Sequence, residues 1–302
     1  MKTNRTAKGE KPMKQPIFRG VCTALITPFS GGDVDLETFR FLVEWQLSAG
    51  IDALCVAGTT GEAATLSDGE RERLLAAAVE GAGGKIPVIM GVGSNSTASA
   101  VIFTERAKAG GADSVLAVTP YYNKGTQDGI VAHYHAIADV GLPVIVYNVP
   151  GRTGVDLSPG LYRKIAEHPM IAGVKEAGEG YDRLLDFAAG LGGSLPLYTG
   201  CDAGVLPAVS VGAAGVISVV SNLIPRETRE LYLAAAAGDL AEARRLTLLY
   251  LPLIRALFAE TNPAPVKRAM EICGLSGGEL RLPLSPVGED LSRRLAALLG
   301  MI

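Results

Sequence analysis

A lysine closes an apolar run in this chain. Ile171-Ala172-Gly173-Val174 leads directly into Lys175-Glu176-Ala177, and such a run reads as a strand buried on both faces. Burying an ammonium costs several kcal/mol unless the group is paired or loses its proton. The amine that has lost its proton is the nucleophile of Schiff-base chemistry. A lone lysine just past a strand is ordinarily a surface residue, so its role depends on what the other strand ends carry. Three more polar segments follow apolar runs: Gly58-Thr59-Thr60-Gly61-Glu62, Thr119-Pro120-Tyr121-Tyr122-Asn123, and Tyr147-Asn148-Val149-Pro150-Gly151-Arg152-Thr153-Gly154.

Each segment alone has a structural reading. Gly-Thr-Thr-Gly makes a plain turn, adjacent tyrosines pack, and an arginine between glycines decorates a loop. Together they suit imine formation with a small 2-keto acid. Lysine attacks the ketone, and the carbinolamine hydroxyl must be protonated to leave as water. A phenol beside the lysine can move that proton, and a threonine hydroxyl can pass it to a second phenol. Backbone N–H groups of residues 58–61 can hold the keto acid's carboxylate, as loop nests do. Arg152 offers a bidentate site for a second carboxylate, that of an acceptor. No metal or other cofactor is needed, because the iminium is itself the electron sink.

Such a set converges only if the strands run parallel and end on one rim. Near-continuous Val/Ile/Leu/Ala runs predict strands over 21–27, 53–57, 87–92, 114–119, 143–148, 171–175, 196–199 and 215–219, with helix-like segments between them such as 36–49, 67–80, 98–109 and 127–140. Eight strand-then-helix units predict an α/β fold, a (β/α)8 TIM barrel whose chemistry lies at the C-terminal strand ends. A doubly wound open sheet is the alternative. Gly91-x-Gly93 lacks the third glycine and later acidic residue of a dinucleotide fingerprint and reads as turn chemistry. Amphipathic stretches at 231–237, 240–251, 265–272 and 290–299 predict a C-terminal helical appendage. The expected division is a disordered tail over 1–16, the barrel over 17–225, and the last barrel helix with the appendage over 226–302. A second plausible start lies at Met13.

Composition narrows the function classes. The 302 residues carry a net charge of −3, 48% hydrophobic and 20% charged residues, ordinary values for a globular enzyme. With no basic stripe, nucleic-acid binding is not expected, and no apolar run is long enough for a transmembrane helix. Cys22, Cys55, Cys201 and Cys273 lie far apart and read as reduced thiols in a cytoplasm rather than zinc ligands. His133 and His135 point apart on a helix, so no metal pair forms.

On these motifs, and on Asn262-Pro263-Ala264-Pro265-Val266-Lys267, the chain resembles the dihydrodipicolinate synthase family from about Gly20 to its C-terminus. The resemblance implies condensation of pyruvate with aspartate semialdehyde, a lyase-type step in the diaminopimelate route of lysine biosynthesis. It implies Lys175 as the Schiff-base lysine and Tyr147, Thr60 and Tyr122 as a proton relay, with Tyr122 reaching into a neighbouring subunit of a homotetramer. Thr59 and Thr60 would hold the pyruvate carboxylate, Arg152 the semialdehyde carboxylate, and Gly200 and Ile217 would line the pocket. Sialate lyases and sugar-acid aldolases share the lysine and Tyr147 but generally lack the arginine, so another pyruvate-dependent aldolase is the alternative. One departure concerns regulation. Where lysine-inhibited members carry serine, histidine and glutamate, this chain has Ala63, Asp68, Arg71 and Ser99, while Asn95 and Tyr121 are retained. Arg71 opposes a dicationic ligand, so lysine inhibition is expected to be weak or absent.

Overall fold

In a computed structural model, residues 14–178, 180–191 and 193–301 are described. Eight strands carry the architecture: β1 Gly20–Ala24, β2 Ala53–Val56, β3 Val88–Gly91, β4 Ser114–Val118, β5 Val144–Asn148, β6 Ile171–Glu176, β7 Leu197–Thr199 and β8 Gly215–Ser218. Each pairs in parallel with the next. The sheet closes through Gly20↔Gly215, Val21↔Val216, Cys22↔Ile217 and Thr23↔Ser218, so the barrel is complete and the open-sheet alternative falls.

The apolar runs that looked continuous in sequence divide by alternation. Cys22, Cys55, Ile89, Leu116, Ile145, Tyr147, Tyr198 and Ile217 belong to one hydrophobic cluster that, among the described residues, includes no helix residue, and they fill the barrel's interior. Val21, Leu54, Val56, Val115, Val144, Val146 and Val174 join helix residues in the outer core. That outer layer consists of α1 Leu36–Ser48, α2 Asp68–Ala82, α3 Thr97–Ala109, α4 Gln127–Ala138, α5 Pro159–Ile165, α6 Tyr181–Leu191, α7 Val205–Ser210 and α8 Pro225–Ala236. Starts are encoded locally. Asp35 caps α1 through Thr38 N, and Ser67 with Glu70 forms a reciprocal capping box on α2.

The first strand is shorter than the expected 21–27. Leu25 N still donates to Cys55 O at 3.0 Å, but Ile26 N turns to Asn222 Oδ1 at 3.2 Å and Thr27 Oγ1 to Gly61 O at 2.7 Å. The chain there leaves the ladder to brace the rim. The helical appendage comprises α9 Leu240–Leu257, α10 Ala264–Ile272 and α11 Glu289–Leu299. Helix α9 runs through Pro252, past the expected end at 251. An interior proline costs about 3 kcal/mol, and burial of Leu253, Ile254, Ala256 and Leu257 beyond it outweighs that cost. Of the tail expected over 1–16, residues 1–13 lie outside the described residues. At Lys14 the expectation is corrected, because its ammonium donates to the carbonyls of Ala166, His168 and Ile171 at 2.7–3.0 Å. No helix among the described residues is long and apolar enough to cross a membrane.

The appendage is bolted to the loop after β2. Lys267, fully buried on α10, pairs with the equally buried Glu62 and donates to Glu279 O at 2.7 Å. Arg281 donates its backbone N–H to Glu62 Oε2 at 3.1 Å and its guanidinium to both Glu70 oxygens at 2.5 and 2.9 Å. The Arg281 hydrogen bond holds the Glu70 carboxyl at about 2, well below the ordinary glutamate range, with Ser67 adding to it and burial opposing. Both cations also lie over the Phe29 ring, at 4.2 and 4.3 Å from its centroid.

Candidate active site

Lys175 is the penultimate residue of β6 and is 6% exposed. Its register partner on β5 is Tyr147, so both side chains enter the interior from neighbouring strands at the same height. Nζ lies 4.3 Å from the Tyr147 ring centroid, and no carboxylate among the described residues is within ion-pair distance of it. A desolvated cation on a ring face gains about 2 kcal/mol, less than burial costs it. Below lie Cys22 and Cys55, whose thiols burial pushes up, Cys55 to about 11 against the opposing pull of the Lys175 charge. They form a neutral floor. Asp202 is a buried carboxylate that feels the Lys175 charge. Buried at 2% exposure, it accepts from Val219 N and Val220 N at 3.0 and 3.1 Å. Burial raises its carboxyl, and these bonds with the Lys175 charge oppose that rise.

Glu176, one residue on, faces the opposite way, as alternation requires. It accepts from Tyr162 Oη at 2.7 Å, Gly178 N at 2.7 Å, Asn148 Nδ2 at 3.2 Å and Arg183 Nε at 3.0 Å. Burial lifts its carboxyl above the ordinary range despite these bonds. Its place is outside the barrel, where it fixes the strand end that presents Lys175.

Gly200, just past β7, makes room for the amine. A Cβ there would lie 2.9 Å from Lys175 Cε and 2.7 Å from Ala177 Cβ. Gly200→Ala is therefore expected to push Lys175 off its position and slow reaction of its amine with a 2-keto acid roughly ten- to a hundredfold, as about an ångström of misplacement does. Stopped-flow or quenched trapping of the imine with borohydride measures that rate; an unchanged rate would show that the space is not needed. Ile217 lies on β8, fully buried in the interior cluster with Tyr147.

The loop after β2 crosses the rim beside them. Gly61 N and Ala63 N both donate to Gly58 O, and Glu62 N to Thr59 O. The loop sits so close over β3 that a Cβ on Gly91 would meet Ala57 O at 2.0 Å, while one on Gly93 would meet Val118 N of β4 at 2.5 Å; these two close approaches account for the Gly91-x-Gly93 pair. Thr60 is 3% exposed, and its hydroxyl accepts from Asn262 Nδ2 at 3.0 Å. Asn262 O in turn accepts from Arg152 at 3.0 Å. Arg152 stands on a short helix, Pro150–Thr153, that follows β5. Thr59, Tyr147, Arg152, Tyr121 and Asn262 border one cavity of about 530 Å³ at this rim, ample for two small acids.

Of the residues expected to act together, Lys175, Tyr147, Thr60, Thr59, Arg152, Gly200 and Ile217 gather at this end of the barrel. Tyr122 does not join them within the chain. It is 89% exposed at φ +71° and does not border the cavity. Asn262 and Asp202 are additions that spacing alone did not single out.

The whole span from Ile17 onward carries one signature, since residues 17–302 match the Dihydrodipicolinate synthetase family. The chain belongs to that family. Among its relatives, the 4-hydroxy-tetrahydrodipicolinate synthase of Methanospirillum hungatei JF-1 is 44% identical over 296 residues, covering 94% of this chain and 99% of the relative. The synthase of Geobacter metallireducens is 45% identical over 284 residues, covering 94% and 98%. Among solved structures, dihydrodipicolinate synthase from Aquifex aeolicus superposes with a TM-score of 0.92 at 42% identity, covering 94% of this chain and 98% of that one. The chloride-inhibited dihydrodipicolinate synthase from Acinetobacter baumannii, solved with pyruvate, gives 0.91 at 41% identity, covering 93% and 98%. In family terms this chain is a lyase built on a TIM barrel. The rim cavity is bounded partly by the appendage, through Asn262, Pro263, Pro283 and Leu284.

Proposed function

We propose that this chain condenses pyruvate with L-aspartate 4-semialdehyde, the 4-hydroxy-tetrahydrodipicolinate synthase reaction of the diaminopimelate route to lysine, with Lys175 carrying pyruvate as an imine. The observation that carries the assignment of the amine is Lys175 itself, buried at a strand end against the Tyr147 ring with Gly200 clearing its path. Its nitrogen attacks the ketone carbon, and the carbinolamine hydroxyl takes a proton and leaves as water. Tyr147 is the phenol adjacent to that oxygen, and Thr60 links it to a further donor. Loss of a C3 proton gives the enamine, whose carbon attacks the aldehyde and becomes bonded to a new carbinol. The semialdehyde's amino group then adds to the imine carbon and expels Lys175, closing a six-membered ring. One water is released overall, and no external redox or metal partner enters the balance.

Thr59 and Thr60 are assigned to the pyruvate carboxylate and Arg152 to that of the semialdehyde. Arg152→Ala is expected to raise the KM for the semialdehyde ten- to a hundredfold, the worth of charge-assisted hydrogen bonds, while borohydride trapping of pyruvate stays near the parent rate. Equal damage to both would assign Arg152 a structural role. Tyr122 completes the relay from a second copy within a homotetramer; an exposed tyrosine held at a positive φ on a loop tip supports that reading.

The cavity continues past Ala63 to Arg71. The Arg71 guanidinium donates to Gly91 O at 3.2 Å and to Ala63 O and stacks 4.6 Å from the Phe103 ring centroid, and the neighbouring Asp68, whose charge it feels, is shared with Arg106 at 2.5 Å. A fixed cation here repels a ligand bearing two ammonium groups. Lysine up to about ten millimolar is expected to leave turnover within twofold of its uninhibited rate; half-inhibition below one millimolar would overturn this.

The test of the whole reading is incubation with pyruvate and borohydride followed by peptide mass mapping, alongside turnover coupled to the reductase that consumes the product. A reduced three-carbon adduct on Lys175 with efficient coupled turnover supports it. An adduct without turnover would move the assignment to another pyruvate-dependent aldolase.

A further inference from the structure

Among the described residues, six buried side-chain polar atoms lack a hydrogen-bond partner. Two belong to residues that border the rim cavity, Arg71 and Asn262. Arg71 Nε is a donor, which leaves Asn262 Oδ1 as the one unpartnered acceptor among them. Asn262 is 6% exposed. An unpaired buried carbonyl oxygen costs about 1–3 kcal/mol, and its other groups are already engaged: Nδ2 with the Thr60 hydroxyl and the backbone oxygen with Arg152. The carboxylate of Glu62, which also borders the cavity, is taken by Lys267 and Arg281 N.

We infer that Asn262 Oδ1 reads the α-amino group of the acceptor substrate. The inference rests on the reaction proposed above and deepens it. A 2-amino acid aldehyde carries its ammonium one carbon from the carboxylate assigned to Arg152. The acceptor that serves that ammonium must therefore lie beside the Arg152 guanidinium, and Asn262 is in direct contact with it. One residue then orients both polar groups of the acceptor and, through Thr60, the hydroxyl beside the imine. It also separates amino acid aldehydes from plain acid aldehydes, because an acceptor without the amino group leaves Oδ1 unpaired.

The experiment compares aspartate semialdehyde with succinate semialdehyde, which differs only in lacking the amino group. KM for the first and the competitive inhibition constant for the second are measured in the parent enzyme, Asn262→Ala and Asn262→Asp. Asn262→Ala is expected to raise the KM roughly ten- to a hundredfold, the worth of a hydrogen bond to a charged group, and to shift the inhibition constant less than threefold. Asn262→Asp keeps an acceptor at that position and is expected to retain the parent's preference for the amino compound; it also guards against misfolding of the alanine variant. Equal losses on both compounds in Asn262→Ala, or loss of the preference in Asn262→Asp, would overturn the inference and leave the proposed reaction standing. Absence of turnover by the parent enzyme would overturn both.

Discussion

Lys175→Ala is expected to reduce turnover by at least roughly 10⁴-fold, the scale on which removing a covalent nucleophile acts, and to abolish the borohydride-trapped pyruvate adduct. The fold should survive. Among the described residues Lys175 has no ion-pair partner to orphan, its ring contact with Tyr147 is worth about 2 kcal/mol at most, and truncation relieves the cost of a buried cation. The urea midpoint is therefore expected to stay level or rise. A variant that lost activity together with its cooperative unfolding would say nothing of chemistry, so both measurements are needed. Near-normal turnover in a folded variant would remove Lys175 from the mechanism. The thiols beneath it cannot substitute: burial keeps Cys22 and Cys55 protonated, and a neutral buried thiol is a poor nucleophile.

What was legible in the sequence follows from the range of the interactions. Strand ends are short-range features, so apolar runs closed by Lys175, by Tyr147 and by Gly58-Thr59-Thr60-Gly61 could be read one at a time and assembled by the rule that parallel barrels gather their chemistry on one rim. The barrel's closure followed from eight such runs, although the first strand ends at Ala24 rather than 27 because Ile26 N is drawn to Asn222, 196 residues away. The contacts that spacing did not reveal are of that kind. Asn262 meets Thr60 across 202 residues and Lys267 meets Glu62 across 205. No local pattern distinguishes a buried lysine in Val266-Lys267-Arg268 from a solvated one on a helix. Alternation within β6 was equally decisive and equally silent. It sends Lys175 inward and Glu176 out to Tyr162 and Arg183, a division fixed only once the strand has neighbours.

The burial of that long-range pair predicts the largest stability effect. Lys267 and Glu62 are each wholly enclosed, and removing one member of a buried pair costs about 3–5 kcal/mol because the other charge stays behind. Lys267→Ala should lower the urea unfolding free energy by that amount. Among the described residues Glu62 would keep only the Arg281 N–H at 3.1 Å, and the Phe29 ring would lose one of its two cations. The damage should reach the active site, because Glu62 ends the turn that carries Thr59 and Thr60 and is held there at φ +55°, a conformation an L-residue adopts only under constraint. KM for pyruvate should therefore rise while kcat falls less, since the lysine and Tyr147 stand on other strands. Combining Lys267→Met with Glu62→Gln removes both charges and keeps the volume, and should recover much of the lost stability. A loss below about 1 kcal/mol in Lys267→Ala would mean that water or rearrangement rescues the carboxylate. The appendage would then be a cover for the rim rather than the clamp that sets its loop.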